Sequence, residues 1–187
     1  MQATAASLKK KDFITFKSDI WQVSFVEFYH PGKGRTVVRT RLKNISSGKT
    51  AAEVFTSNDM VDILDVIAMP VQFLFASAES VSFMHEKTFE QYEVPMYLIE
   101  DFVDLLKEGQ PMFLLMMDEK AVGVRPPKRA ELKVVEAEDA VKGDTATNAK
   151  KQVVLETGAK VNVPLFIKKG EVIAINPETR EYVERVN

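Results

Sequence analysis

The sequence predicts a mostly β protein made of three small β-barrel units, and three observations lead to this fold class. Short runs rich in β-branched and aromatic residues recur along the chain, and Gly, Pro, Ser and Asn separate them. Only residues 96–107 carry the wide apolar stripe of a helix, which Gly109-Gln110-Pro111 ends. At 187 residues the chain suits two or three small domains.

The first unit, residues 1–68, is predicted to be a small barrel or twisted sheet. Its strand-like runs are 13–16, 20–28, 36–45 and 51–56. In the third run Arg39, Arg41 and Lys43 occupy alternate positions and therefore share one face of a strand. We expect a basic stripe along this face, leading away from the loop that precedes it.

That loop joins the second and third runs and places one lysine between two glycines. Pro31 fixes one φ, and Gly32 and Gly34 permit positive φ, so a tight and exposed turn is expected. A fold needs no charged side chain there. Lys33 at the tip, with Arg35 beside it, is therefore predicted to serve a partner.

The middle unit, residues 69–127, combines strands with one helix. Its predicted strands are 71–75, 81–84, 112–117 and 120–124, and the helix is 96–107. An oligonucleotide-binding (OB) barrel and a helix on an open sheet both fit this pattern. Pro126-Pro127 marks the boundary to the third unit, 128–187, predicted as a second small barrel with strands 131–136, 152–156, 160–163, 171–175 and 182–186.

Composition excludes several classes of protein. The chain has no cysteine and two distant histidines, which argues against disulfides, thiolate chemistry and a metal site, and fits a cytoplasmic protein. Neither a secretory signal nor a membrane span is expected. The formal charge of −2 is unevenly divided: residues 1–68 hold 10 Lys+Arg against 7 Asp+Glu, residues 69–127 hold 4 against 10, and residues 128–187 hold 11 against 10.

The sequence motifs give little support to the hypothesis that the chain is an enzyme. Gly48-Lys49-Thr50 ends like a phosphate-binding P-loop, but Lys43 stands where the first glycine belongs, and a strand rather than a helix is predicted to follow. The carboxylates of the predicted helix have no histidine or serine placed to complete a catalytic set, and they are expected to form a solvated face. We therefore predict no enzymatic activity, no cofactor and no metal.

Two constellations in the third unit can contact a nucleic acid. Gly143, Asp144 and Thr145 offer acceptors and a hydroxyl donor, although an Asx or ST turn that closes a hairpin explains the same residues. Tyr182 and Arg185 can stack on a base and pair with a phosphate. As strand residues three apart they are expected to point to opposite faces, which weakens this reading.

The order and spacing of these residues resemble the bacterial translation elongation factor P family, the counterpart of the hypusine-containing factor of eukaryotes and archaea. The resemblance covers essentially the whole chain. Its most specific part is the C-terminal signature, which comprises Lys142-Gly143-Asp144-Thr145, Lys151, Leu155, Thr157-Gly158, Val161, Val163-Pro164, Phe166-Ile167 and Gly170-Glu171. The loop Pro31-Gly32-Lys33-Gly34, the stretch Thr88-Phe89-Glu90-Gln91 and residues 181–186 agree with it.

The resemblance implies three β-barrel domains in an L shape, an SH3-like domain followed by two OB domains. It implies a monomeric, cytoplasmic factor that binds the 70S ribosome between the P and E sites and stimulates peptide bond formation at stalled polyproline sequences. Lys33 would lie by the P-site peptidyl-tRNA and would be the target of a lysine-modifying enzyme, with Pro31, Gly32, Gly34 and Arg35 as tip loop support. Arg39, Arg41 and Lys43 would face RNA, and Gly143, Asp144, Thr145, Tyr182 and Arg185 would contact the mRNA E-site codon and the small subunit.

One alternative stays open at this point. The chain can be a general RNA-binding or RNA-chaperone module in which Lys33 is only one of several phosphate contacts. Arginine replaces lysine at a phosphate contact but not at a positioned or modified amine, so Lys33→Arg discriminates between the two.

Overall fold

A computed structural model describes residues 1–32, 34–137 and 150–186. Within these ranges the chain forms three sheets that together contain sixteen strands, with short 3₁₀ helices between some of them. The predicted fold class, a mostly β protein of several small β units, is confirmed.

The first sheet has six strands in the order β1-β6-β2-β3-β4-β5. They are β1 Gln2–Thr4, β2 Phe13–Phe16, β3 Asp19–Tyr29, β4 Val37–Asn44, β5 Thr50–Thr56 and β6 Met60–Leu64, and a 3₁₀ helix, Ala5–Ser7, follows β1. Strands β2 to β5 form a continuous antiparallel meander, and β6 returns to pair with β2. Ile14, Val23, Val38 and Leu42 are buried beneath it.

The second and third sheets repeat one topology. The second consists of β7 Ile67–Ala76, β8 Ser80–His85, β9 Gln91–Pro95, β10 Pro111–Met117 and β11 Lys120–Arg125. The third consists of β12 Ala130–Ala137, β13 Lys150–Leu155, β14 Lys160–Pro164, β15 Val172–Asn176 and β16 Glu181–Val186. In each, the strands lie in the spatial order third, second, first, fourth, fifth.

The single helix predicted over residues 96–107 is replaced by two short 3₁₀ helices, Met96–Leu98 and Val103–Leu105. The buried residues Ile99, Phe102, Leu105 and Leu106 recur at steps of three and four, which fit both helical periods. The backbone hydrogen bonds in this segment mostly span three residues, for example from the Leu105 amide to the Phe102 carbonyl at 3.0 Å. A helix of about twelve residues is also marginal by itself.

Three of the strands in the described residues were not predicted from the sequence. β1 has three residues and β6 and β9 have five each. All three are edge or returning strands with at most two apolar residues in alternation, so their formation depends on partners elsewhere in the chain. Local pattern therefore carries too little signal to identify them.

The chain divides into two compact units. One consists of Met1–Ala68 and Leu115–Gly123, and the other of Met69–Leu114 and Val124–Asn187. In the first unit, Leu115 and Val122 from the β10–β11 hairpin pack with Phe13 and Ile45. The packing is close: a Cβ on Gly123 would lie 3.1 Å from Cζ of Phe13.

The second unit contains a core to which both of its segments contribute. Leu105 is fully buried and packs in the cluster formed by Leu132, Val134, Leu155 and other side chains of the third sheet. The middle segment therefore supplies a core side chain to the C-terminal sheet.

An ion pair lies in the same unit. The guanidinium of Arg180, in the β15–β16 turn, donates to both carboxylate oxygens of Asp104 at 2.8 and 2.7 Å, and it also donates to the Asp101 carbonyl at 3.2 Å. This bidentate geometry raises the pKa of Arg180, chiefly through the hydrogen bond to Asp104. The sequence predicts a solvated face for this carboxylate, whereas in the structure Asp104 forms a bidentate ion pair with Arg180.

Candidate nucleic-acid interface

The β3–β4 hairpin carries the loop whose lysine the sequence analysis singles out. Lys33 itself lies outside the described residues, so the structure leaves its predicted role untested. Beside it, Gly34 has a φ of +120°, which a side chain would disfavour, and a Cβ on Gly32 would meet no atom within 4 Å. Pro31 is half-buried and Arg35 is exposed. Of the two loop glycines, Gly34 therefore adopts the positive φ that the sequence permits, and Gly32 borders open space.

The base of this loop is held by the β5–β6 turn. The Ser57 amide donates to the Thr36 carbonyl at 3.0 Å. In the same turn, Asp59 accepts hydrogen bonds from the amide and the hydroxyl of Thr56. These two bonds, together with the positive charge of Arg35, lower the pKa of Asp59. The supporting role of Arg35 in the tip loop stays a prediction.

The shared face of Arg39, Arg41 and Lys43 on β4 is confirmed. Along this strand Val38, Thr40 and Leu42 are buried, Arg39 and Arg41 are exposed, and Lys43 is half-buried. Contact of this face with RNA stays a prediction.

Exposed aromatic rings share this face, a feature that is absent from the sequence prediction. The guanidinium of Arg39 lies 4.9 Å from the centroid of Tyr29, and that of Arg41 lies 5.7 Å from the centroid of Phe25. Both rings are nearly half exposed, at 48% for Tyr29 and 45% for Phe25. Arg39 also pairs with Glu27 at 3.5 Å. Exposed cations above aromatic rings are a common element of surfaces that bind nucleic acids.

A β-bulge explains why these rings point outward. The register of β3 on β4 passes from Val23 opposite Leu42 to Phe25 opposite Arg41, so Ser24 is an extra residue. Phe25 and Tyr29 therefore join the arginine face instead of the core. The outward Glu27 in an otherwise apolar run was the available sign of this in the sequence.

In the third sheet, Gly143, Asp144 and Thr145 lie outside the described residues, and their predicted role stays untested. Tyr182 and Arg185 are described, and the expectation that they point to opposite faces is wrong. Val183 is an extra residue in β16, so Tyr182 lies opposite Ile175 and Arg185 opposite Ile173, on one face.

Neither side chain is free, however. Tyr182 is half-buried against the core of the third sheet. The Arg185 guanidinium donates to Glu171 at 3.0 Å. A contact with RNA would have to replace that ion pair.

The residues weighed for other chemistry have structural roles. Asn44 Oδ1 accepts from the amides of Ser46 and Ser47, both at 2.9 Å, and closes the turn that carries Gly48 and Lys49. Strand β5 begins at Thr50, so this turn lacks the helix of a P-loop. In the middle sheet, His85 Nδ1 accepts from the amides of Lys87 and Thr88, both at 3.1 Å.

Across the described ranges, no group of three or more His, Cys, Asp or Glu side chains could hold a metal ion. In the same ranges no helix has the length and apolar character needed to cross a membrane.

Comparison with known proteins finds matches along nearly the whole chain. Three family models match consecutive segments: the elongation factor P KOW-like domain over residues 4–61, the elongation factor P OB domain over 66–124, and the elongation factor P C-terminal domain over 130–185. The chain belongs to the elongation factor P family. Membership makes it a translation elongation factor, and the family name describes such a factor rather than an enzyme.

Individual relatives are similar over nearly their full length. Elongation factor P of Roseiflexus sp. is 41% identical and covers 98% of this chain and 99% of its own. That of Rhodopirellula baltica is 36% identical, covering 100% and 98%, and that of Moorella thermoacetica is 40% identical, covering 92% and 93%. A solved structure, eukaryotic translation initiation factor 5A from Methanococcus jannaschii, aligns with a TM-score of 0.48 at 20% identity over 67% of this chain and 92% of that one.

Proposed function

We propose that this elongation factor binds the 70S ribosome between the P and E sites and stimulates peptide bond formation at stalled polyproline sequences. In this proposal Lys33, at the end of the β3–β4 hairpin, positions the P-site peptidyl-tRNA. Gly143, Asp144 and Thr145 contact the mRNA E-site codon, and Tyr182 and Arg185 face the small subunit. The factor acts as a monomer in the cytoplasm, and a lysine-modifying enzyme is a further partner. The three-domain division at 68/69 and 127/128 belongs to the same proposal.

The observation that carries the proposal is the hairpin itself. Beyond the bulge at Ser24, its strands β3 and β4 pair without interruption from Phe25 opposite Arg41 to Tyr29 opposite Val37, so the loop follows directly on a paired ladder. The Ser57 amide, bonded to Thr36, anchors the loop base. A loop anchored at its base reduces the entropy that is lost when its tip orients a substrate, which lowers an activation barrier without any covalent chemistry.

The positively charged face of the hairpin also favours binding of this region to RNA. Arg39 and Arg41 are exposed and lie over Tyr29 and Phe25, so their guanidinium groups can contact RNA phosphates, with Arg39 giving up its pair with Glu27 to do so. Proline is a slow substrate because its nitrogen is a secondary amine and its φ is fixed. An orienting contact at the peptidyl-tRNA therefore has most to contribute at consecutive prolines.

The test exchanges lysine for arginine in a reconstituted translation system with a polyproline reporter. We expect Lys33→Arg to slow synthesis through the proline run by up to about a hundredfold, the order expected for misplacement of a positioning group. Lys49→Arg is the matched control, because Lys49 is an exposed turn lysine of the same sheet. A reporter without consecutive prolines should respond to neither variant.

The alternative, a general RNA-binding module, makes the opposite prediction. If Lys33→Arg supports the polyproline reporter as well as the unsubstituted chain, the positioned amine is excluded and a simple phosphate contact is favoured. The intact mass of the protein from its natural host, with any added mass mapped to Lys33, tests the proposed modification separately.

A further inference from the structure

We propose that the outer face of β13 and β14 binds single-stranded RNA, with Lys160 and Lys169 holding its phosphates. The inference rests on the proposed function, since it extends the codon contact proposed for residues 143–145, which precede β13 in sequence. It adds a second set of residues that neither the family resemblance nor the sequence analysis indicates.

An open cavity of about 510 Å³ lies on this face. Its lining comes from the end of β12, from β13 and β14, and from the turn before β15, and comprises Glu136, Ala137, Gln152, Val154, Lys160 and Lys169. The volume falls in the range of about 300–1,000 Å³ that is usual for sites of small ligands. One or two nucleotides of a longer strand fit a cavity of this size.

Strand alternation directs these side chains away from the core. On β13, Val153 and Leu155 are buried in the core, so Gln152 and Val154 point outward. The register places Val154 opposite Lys160, and Gln152 opposite the exposed Asn162. Amides, an ammonium group and a valine side chain thus form one continuous surface across the two strands.

The two lysines differ from the arginines of the same sheet. Arg129 pairs with Glu184 at 2.7 Å, Arg180 with Asp104 at 2.7 Å, and Arg185 with Glu171 at 3.0 Å. In contrast, neither Lys160 nor Lys169 forms an ion pair with any carboxylate in residues 1–32, 34–137 and 150–186. Their charge is available to a phosphate without breaking an existing contact.

The remaining lining residues suit an unpaired base. Val154 offers an apolar surface for the face of a base, and the Gln152 amide can both donate to and accept from its edge. The Glu136 carboxylate accepts from a base N–H group and disfavours a phosphate at its own position. A base can use these groups only when its pairing edge is free, which points to a single strand rather than a duplex.

The middle sheet provides the contrast that makes the assignment specific. Strands two and three are the usual binding face of an OB barrel, and in the middle sheet these are β8 and β9. Their outward positions are Ser80, Ser82, Met84, Gln91, Glu93 and Pro95. These six include one carboxylate and no cation, and the Ser80 hydroxyl donates to Glu93. Among the described residues, the outward positions of strands two and three therefore include a cation in the third sheet and none in the middle sheet.

The test measures binding of a fluorescein-labelled, 12-nucleotide single-stranded RNA of mixed sequence to the full chain by fluorescence anisotropy. We expect the double variant Lys160→Ala, Lys169→Ala to bind at least about tenfold more weakly. The slope of log affinity against log salt should fall by roughly 1.4, since each phosphate contact on a single strand contributes about 0.7.

The matched control is the double variant Lys128→Ala, Lys133→Ala. Both lysines are exposed in the same sheet region, neither lines the cavity, and the change in net charge is identical. We expect its affinity to stay within twofold of the unsubstituted chain. Equal weakening by the two double variants would reduce the effect to net charge and overturn the proposal.

Two further outcomes would overturn it. One is undetectable binding of the oligonucleotide to the unsubstituted chain at low salt, and the other is competition by a duplex RNA as effective as that by the single strand.

The Lys33→Arg variant separates this inference from the proposed function, because it should bind the oligonucleotide normally whatever its effect on polyproline synthesis. All four lysines of the two double variants are exposed, and thermal unfolding checks that each variant is folded.

Discussion

The middle and C-terminal sheets share one strand order, yet they use their surfaces differently. On strands two and three, the middle sheet presents serines, a methionine and Glu93, whereas the C-terminal sheet presents amides and Lys160, which has no ion pair within the described residues. The chain around the middle sheet is acidic, with 4 Lys+Arg against 10 Asp+Glu in residues 69–127. Common topology thus leaves ligand chemistry to the outward positions of the strands.

The hairpins formed by the fourth and fifth strands of these two sheets also differ in the kind of contact that they make. The β10–β11 hairpin packs through apolar side chains, Leu115 and Val122, against Phe13. The β15–β16 turn instead carries Arg180, whose guanidinium pairs with Asp104. Apolar contacts of this kind depend little on salt, while a half-exposed ion pair is screened by it. The comparison can be broken or sharpened by substitution in each kind of contact.

The largest effect is expected for Leu105→Ala. The Leu105 side chain belongs to the middle segment and is fully buried in the core of the third sheet, so its removal leaves a cavity and should lower the free energy of unfolding by about 2–5 kcal/mol. Urea denaturation measures the change. Leu165→Ala, at a site 36% exposed, is the control and should cost much less. Equal costs would mean that Leu105 contributes no more than a surface leucine.

A smaller effect is expected for the ion pair of Arg180 and Asp104. A double-mutant cycle with alanine at each position should give a coupling of roughly 0.5–1 kcal/mol, because exposed pairs are screened by solvent, and these side chains are 38% and 40% exposed. The coupling should decrease in high salt. The pair Arg129 and Glu184, both 55% exposed, is the control and should couple more weakly. A stronger coupling there would contradict the importance of bidentate geometry.

The smallest effect is expected from Glu171, and it depends on pH. The Lys168 amide, followed by Arg185, lowers the pKa of Glu171 in the folded chain. Its stabilising contribution is therefore complete above the unfolded pKa of about 4.3 and is lost as pH falls through the lower folded value. Glu171→Gln should reduce the melting temperature at pH 7 but not at pH 2. Exposed Glu108 of the middle segment is the control, and Glu108→Gln should lower the melting temperature at pH 7 less than Glu171→Gln does.

Much of the fold could be predicted from the sequence because alternation of apolar and polar residues is a local signal. The strand predicted over 13–16 is observed as Phe13–Phe16, and that over 160–163 as Lys160–Pro164. The prediction of a single helix over residues 96–107 is wrong, because a stripe with apolar residues every three and four positions fits both helical periods. Which period forms depends on Leu105 reaching a core some thirty residues further along the chain.

The candidate sites were predictable only in part. Arg39 and Arg41 follow from alternation alone, whereas the exposure of Phe25 and Tyr29 depends on the bulge at Ser24. The bulge at Val183 likewise decides the face of Arg185. An inserted residue in a strand is fixed by pairing with its neighbour, so a single strand's pattern does not reveal it. The cavity beside Lys160 needed the pairing of three strands before its residues could be grouped.

The position of Leu105 also limits how freely parts of this molecule can be exchanged. If the two five-stranded sheets descend from one duplicated ancestor, they have since ceased to be interchangeable modules, because one completes the interior of the other. A fragment that starts at residue 128 would carry a hole where Leu105 belongs, and a chimera with another family member would need matching partners on both sides of the junction. For recombination and for protein engineering alike, a junction at Pro126-Pro127 separates Leu105 from the core that it completes.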